Sequence, residues 1–240
     1  MKLLIDAGNS RIKWGLHDGR AWLQSGAVGQ AEIPGLRQVW QELPPPRAIV
    51  IANVAGKNIR AALDSCLSVF NSVQTCWIES RAQQCGVRNA YAEPAQLGVD
   101  RWAAAIAAWH LTRAACVIVN AGTAVTVDAL SGAGMFLGGL IMPGSQLMRG
   151  ALARHTALEF PRGKVKTFPA NTADAIESGI IAALCGAVQC MRAALGGDAQ
   201  CLLSGGAAAE LAAHLNPAPR LVDNLVLEGL VHIARELYHL

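Results

Sequence analysis

Short runs of β-branched and aliphatic residues alternate along this chain with longer Ala- and Leu-rich stretches of helical periodicity. The short runs end at Gly or Asp and predict strands over Lys2 to Asp6, Arg11 to His17, Trp22 to Ala27, Arg47 to Val54 and Val73 to Glu79. The longer stretches predict helices over Gly35 to Leu43, Asn58 to Phe70 and Val99 to Thr112, where Trp102, Ile106 and Trp109 recur at helical spacing. Strands alternating with helices imply an α/β protein with sheets covered by helices.

The pattern then restarts. Leu4-Ile5-Asp6-Ala7-Gly8-Asn9-Ser10 is similar to Ile118-Val119-Asn120-Ala121-Gly122-Thr123-Ala124, and each precedes a second β-type run, Arg11 to His17 and Ala124 to Leu130. Duplication is the simplest account, with lobes at 1–114 and 115–240. Beyond the second copy the pattern predicts a strand over Phe136 to Met142, a helix from Ser145, and a long helix from Thr172 to Leu195. Asn171 or Thr172 serves as cap for that helix, and Asp174 and Glu177 sit near its positive end. A strand over Gln200 to Ser204, a helix over Ala207 to Leu215 and a last helix from Leu225 to the end complete the second half.

Composition narrows the function. The formal charge of +3 comes from scattered Lys and Arg with no basic run, which argues against a nucleic-acid partner and for a small-molecule ligand. The seven cysteines form no Cys-x-x-Cys pair, which fits neither a zinc cage nor a disulfide framework and suits a reducing cytosol. Met1 to Asp6 breaks its apolar run too soon for a signal peptide, and Arg113, Asp128 and Arg149 interrupt the most apolar third, so neither export nor a membrane span is expected.

The turn Asp6-Ala7-Gly8-Asn9-Ser10 joins two strands, where glycine permits positive φ and outward N–H groups that hold phosphate oxygens. Asp6 at the strand end suits Mg²⁺, directly or through water, and Lys13 on the returning strand offers a positive charge to the β- and γ-phosphates. Taken alone, the same residues fit an ordinary Asn-Ser hairpin. The second copy tips the reading toward two hairpins that clasp one polyphosphate across a cleft, Thr123 adding a hydroxyl. Ser204-Gly205-Gly206-Ala207 follows an apolar strand and opens a helix; it suits close approach by adenine or ribose, and a plain strand-to-helix turn fits equally.

Gly98-Val99-Asp100-Arg101 puts an acid and a base at the start of an apolar helix. Asp100 there either serves the helix N-terminus or receives the proton of an attacking hydroxyl while Arg101 grips a substrate carboxylate. With an ordinary pKa of about 4, such an Asp orients the hydroxyl and accepts its proton late, when the transferring phosphoryl group is already loose.

These motifs resemble the acetate and sugar kinase, Hsp70 and actin superfamily, and within it the type III pantothenate kinases. The match runs through Asp6 to Lys13, Tyr91-x-x-Pro94-x-x-Leu97-Gly98-Val99-Asp100-Arg101-Trp102, Gly122-Thr123-Ala124 with Asp128, Gly138 to Gly144, Asn171-Thr172, Ser178-Gly179 and Ser204-Gly205-Gly206, in the family's order over nearly the whole chain. The resemblance implies a duplicated actin-like (ribonuclease H-like) two-lobe α/β fold with the nucleotide in the interlobe cleft. It implies ATP-dependent phosphorylation of pantothenate to 4′-phosphopantothenate, the first step of coenzyme A biosynthesis, in a cytoplasmic homodimer. ATP contacts are implied for Asp6, Ala7, Gly8, Asn9, Ser10, Arg11, Ile12, Lys13, Thr123, Gly205 and Gly206, with Mg²⁺ at Asp6. Pantothenate contacts are implied for Tyr91, Gly98, Val99, Asp100, Arg101 and Thr172, the last reaching the site from the neighbouring subunit.

One position departs. The family usually has Asp where this chain has Asn120, a position that the resemblance links to a monovalent cation, K⁺ or NH₄⁺. An amide oxygen still ligates K⁺ but brings no charge, so weaker affinity or loss of the requirement is expected. The rival readings are a non-catalytic accessory or regulatory protein of the same fold, and another phosphotransferase or ATP hydrolase. The remaining chemical residues read as structural: His17, His110, His155, His214, His232 and His239 form no His-x-x-x-His pair, Trp102 and Trp109 read as core or dimer contacts, and Cys185 and Cys190 read as apolar fillers. Ser204 lacks the setting of a hydrolase nucleophile.

Overall fold

A computed structural model describes residues 1–155 and 161–238, without the side chain of residue 155, so the expectations for His155 and His239 lie outside the described residues. The chain divides into two units, Met1–Leu111 with Leu225–Leu240, and Thr112–Asn224.

The first unit begins with an antiparallel meander, β1 (Lys2–Ala7), β2 (Arg11–His17) and β3 (Trp22–Gly29). A 3-10 turn (Gln30–Gly35) leads into α1 (Leu36–Gln41), then β4 (Ala48–Asn53), α2 (Lys57–Leu67) and β5 (Gln74–Trp77). The sheet order is β3-β2-β1-β4-β5, with β4 parallel to β1 and β5 parallel to β4. Alternation along β1 sends Leu3, Ile5 and Ala7 into a core with Ile12, Trp14, Leu16, Trp40 and Leu63. The intervening Lys2, Leu4 and Asp6 are buried as well, because the other face of the sheet is also covered. A short hairpin, β6 (Gln83–Gln84) with β7 (Val87–Asn89), precedes α3 (Val99–Thr112). The periodicity of α3 is that of a core helix, and Trp102 to Ala108 are all buried.

The second unit repeats the plan. An antiparallel meander of β8 (Cys116–Ala121), β9 (Ala124–Leu130) and β10 (Met135–Pro143) is followed by α4 (Ser145–His155), α5 (Thr172–Ala194), β11 (Gln200–Ser204), α6 (Ala208–Ala212) and β12 (Arg220–Leu221). Its strands run β12-β11-β8-β9-β10, with β11 parallel to β8 and β12 parallel to β11. Order and direction therefore match the first unit strand for strand, and the internal duplication expected from the two turn motifs is present in the topology. α5 is long and apolar enough by length and composition to cross a bilayer. It packs Ile180, Ile181, Leu184, Cys185 and Val188 against Val117, Val119, Val125 and Val127 of the sheet, and burial of each such aliphatic side chain contributes roughly 1.5–3 kcal/mol.

The unit boundary corrects the expected lobe at 115–240. The last helix, α7 (Leu225–Tyr238), packs on β1 and β4 and belongs to the first unit. It supplies the cover for the second face of that sheet, burying Leu227, Leu230, Val231, Ile233 and Ala234. Polar ties fix it: Trp22 Nε1 donates to Glu228 at 2.9 Å and Arg235 donates to the Gly19 carbonyl at 2.7 Å. Burial, with the Arg235 charge next in weight, holds the His17 imidazole below its usual pKa here.

Candidate active site

The first turn, Gly8-Asn9-Ser10, links β1 to β2, and Gly8 N–H donates to the Arg11 carbonyl at 3.1 Å. Strand register sets Asp6 directly opposite Lys13, on the face away from the core that holds Leu3 and Ile5. Their charged atoms are 3.9 Å apart, with the Asp6 side chain 10% and the Lys13 side chain 34% exposed. That is a loose pairing at a strand end beside an exposed turn tip, Asn9 and Ser10. The Ile12 side chain points into the core and Ala7 is fully buried, so neither side chain is open to a ligand.

The second turn, Gly122-Thr123, closes by a Gly122 N–H bond to the Ala124 carbonyl at 3.1 Å. Register sets Asn120 opposite Thr126 and Ile118 opposite Asp128, so Asn120, Thr126 and Asp128 share one face. Thr126 Oγ1 is buried without a hydrogen-bond partner among the described residues, and Asp128 is fully buried. Neither Gly8 nor Gly122 has the positive φ expected of it. Each turn is instead closed by its glycine N–H.

Parallel pairing brings Ser204 at the end of β11 beside Asn120. Gly205 lies at φ 104°, and a Cβ there would sit 2.4 Å from the Ala121 carbonyl oxygen. Only glycine fits. Ala207 N–H then donates to that same carbonyl at 3.0 Å. The corresponding place in the first unit is the end of β4, where Val54 N–H donates to the Ala7 carbonyl at 3.1 Å. Asn53 there organises its loop, accepting from Ala55 N–H at 2.9 Å and donating to the Gly56 carbonyl at 3.1 Å.

At the start of α3, Arg101 Nη1 donates to the Tyr91 hydroxyl at 3.1 Å, and Arg101 N–H donates to Asp100 Oδ1 at 2.8 Å. The structure thus joins Tyr91, Asp100 and Arg101, which sequence placed together, next to Gly98 and Val99. Arg101 is buried, although Arg is rarely so. Burial raises the Asp100 carboxyl above the ordinary range against the opposing pull of the Arg101 amide and guanidinium. Such a shift makes it a better proton acceptor than an ordinary Asp.

Thr172 is the exposed first residue of α5. The cap is Asn171, which accepts from Asp174 N–H at 2.9 Å. Asp174 accepts from Lys164 N–H at 2.7 Å and pairs with Lys166 at 2.6 Å, interactions that bring its carboxyl down to about 2. One turn on, the buried Glu177 accepts from Arg149 Nη2 through both its oxygens at 2.8 Å and from Nε at 3.3 Å.

Among the other candidates, Trp102 is fully buried with Nε1 on Gln84 at 3.2 Å, as a core residue should be. His110 stacks on His232 with centroids 3.8 Å apart, and His214 is exposed. Cys185 fills the core, but Cys190 is exposed on α5, which corrects its reading as a filler. Sequence reasoning gave no site role to Asn53, beside Ala7 at the end of β4, to Thr126, opposite Asn120, or to Gln30 and Gly144, which donate to the turn carbonyls. Only the rule that open α/β sheets bind ligands beyond the carboxyl ends of parallel strands pointed to Asn53.

Residues 2–194 match the family model of type III pantothenate kinase. A type III pantothenate kinase of Aromatoleum aromaticum is 52% identical over 98% of both chains. That of Nitrosospira multiformis is 48% identical over 98% of this chain and 91% of its own. The fold is shared with a Campylobacter jejuni structure described as a Baf family transcriptional activator (TM-score 0.67, 21% identity, 99% of this chain and 100% of the other). It is shared also with a Sinorhizobium meliloti structure described as a 2-dehydro-3-deoxygalactonokinase (TM-score 0.60, 15% identity, 100% of both). With two glycine turns on a duplicated α/β scaffold, an acid beside an Arg–Tyr pair, and relatives of this similarity over nearly its full length, the chain belongs to the type III pantothenate kinase family.

Proposed function

We propose that the chain catalyses the reaction its family is named for, the ATP-dependent phosphorylation of pantothenate to 4′-phosphopantothenate that opens coenzyme A biosynthesis. The observation that carries this reading to particular residues is the Tyr91–Arg101–Asp100 cluster at the head of α3. Arg101, pre-oriented by the Tyr91 hydroxyl, grips the pantothenate carboxylate in a planar fork. Gly98 and Val99 line the approach, and the exposed Thr172 reaches the substrate from a second subunit.

Asp100 orients the primary hydroxyl. As that oxygen bonds to the γ-phosphorus, the bond to the β–γ bridging oxygen breaks, the hydroxyl proton passes to Asp100, and ADP leaves. Asp6 fits Mg²⁺, being a little-exposed carboxylate at the strand end beside the turn, and the ion would supply charge neutralisation at the phosphates. Lys13 and the Asn9–Ser10 tip hold phosphate in the first unit; Thr123 does so in the second. Gly205 and Gly206 accept the adenosine.

A monovalent cation, K⁺ or NH₄⁺, fits beside Asn120, because the unpartnered buried Thr126 oxygen on the same face is an oxygen donor awaiting a ligand. An exposed apolar groove of about 520 Å³ between α4 and α5, lined by Leu147, Met148, Leu152 and Ile176, supports the homodimer. A cytoplasmic location follows from the substrates.

ADP release measured with and without pantothenate tests the reading. The expected result is turnover that requires pantothenate; turnover without it would mean an ATP hydrolase, and none at all would mean a binding protein. Asp100→Asn should lower kcat by about 100-fold or more. In the wild type the acid limb of kcat/KM should lie above the ordinary carboxylate value of about 4, because activity is lost as pH falls through the raised pKa of Asp100. A limb below that value would remove Asp100 from the proton's path.

A further inference from the structure

The carbonyls of the two glycine turns are held from behind by equivalent residues. Gln30, the first residue after β3, donates from Nε2 to the Asn9 carbonyl at 2.8 Å and, more weakly, to the Gly8 carbonyl at 3.4 Å. Gly144, the first residue after β10, donates its backbone N–H to the Thr123 carbonyl at 2.8 Å. Matching strand orders make these the same position in the two units. One uses a side chain and the other the main chain. Gly144 comes so near that a Cβ would lie 2.3 Å from the Gly122 carbonyl oxygen and 2.7 Å from that of Thr123.

A trans peptide is planar, with C=O and N–H pointing in opposite directions. Holding the Gly8 carbonyl therefore aims the Asn9 N–H the other way, and holding the Asn9 carbonyl does the same for the Ser10 N–H. If either peptide flipped, a carbonyl oxygen would replace a donor in front of a polyanion. We infer that Gln30 and Gly144 are positioning residues for ATP, locking the peptide planes of the two turns so that their donors face the phosphates. The inference rests on the reading of these turns as phosphate sites.

The test is the dissociation constant of a non-hydrolysable ATP analogue with Mg²⁺, measured alongside the KM for ATP, the KM for pantothenate and the thermal midpoint. Gln30→Met keeps the length and removes the donor. It should weaken the analogue and raise the KM for ATP by about tenfold, the worth of one such hydrogen bond, leaving pantothenate KM and the midpoint unchanged. Gln30→Glu should weaken nucleotide binding further, by adding a negative charge facing the carbonyls. Gly144→Ala should do likewise through the second turn; where it fails to fold, Gln30→Met decides. Lys13→Ala is the control for the underlying reading. If Lys13→Ala leaves the analogue's affinity intact, the first turn is not a phosphate site and the reading beneath fails. If Lys13→Ala weakens binding while Gln30→Met stays within about twofold of wild type, the positioning role is overturned.

Discussion

The two glycine hairpins are one device built twice, with a charged pair behind one turn and a neutral pair behind the other. In the first, Asp6 faces Lys13 across the strands; in the second, the same register sets Asn120 opposite Thr126. Each is closed by a glycine N–H, and each neighbouring parallel strand sends an N–H onto the residue before the glycine, Val54 to Ala7 and Ala207 to Ala121. The backbone is thus repeated while the charge is not. A carboxylate and an ammonium in one copy suit a divalent metal and phosphate; an amide and a hydroxyl in the other suit neutral donation and a weakly held cation. Duplication preserved what hydrogen-bond geometry requires and left the side chains to divide the chemistry.

The largest test of that division is Asp6→Asn, which gives the first hairpin the residue of the second. Loss of at least about 100-fold in kcat at saturating Mg²⁺ and ATP is expected, as for removal of a preorganised transition-state charge. A loss under about threefold would mean that the charge asymmetry has no catalytic meaning. Gly205→Ala comes next. It forces a side chain to φ 104° with its Cβ 2.4 Å from the Ala121 carbonyl, a strain of about 1–3 kcal/mol. The ATP analogue should bind more weakly and the thermal midpoint should fall by several degrees, with no comparable fall in the midpoint from Gly206→Ala, where nothing among the described residues would meet the new Cβ. The smallest effect is expected from Asn120→Asp, which brings the second hairpin toward the first. Potassium titration should show half-activation at a concentration lower by a factor of about 10, the effect of adding one partly exposed charge to the site. An unchanged titration would place the cation elsewhere.

Much of the fold was legible. β2, α3, β9 and β11 have the bounds predicted from pattern alone, because alternation in β2 and β9 and the Trp102–Ile106–Trp109 spacing in α3 reflect burial that each element undergoes whatever its neighbours. The short β6–β7 hairpin and β12 went unseen, since pieces of two or three residues carry no period. Of the candidate site, Tyr91 with Asp100 and Arg101 was legible from the motif, and the geometry joined them. Gln30 and Gly144 were not, because each meets its turn only once the strands have paired, and Thr126 was not, because the burial that leaves its hydroxyl unpartnered among the described residues depends on packing. Asp100 was read as an ordinary carboxylate; its raised pKa depends on the packing around the head of α3, which local sequence does not record.

By itself the sequence determined the alternation of strands and helices, the repeat of the glycine turn and the residue types available for phosphate and proton chemistry, since these follow from side-chain period and composition over a few neighbouring residues. Only the tertiary structure decided that α7 closes the first unit rather than the second, that Asp6 faces Lys13 where Asn120 faces Thr126, and that Gln30 and Gly144 back the turns. The α7 packing and the Gln30 and Gly144 contacts join segments far apart in sequence, and the two facings depend on strand register, which a one-residue slip would change. A local pattern cannot specify them.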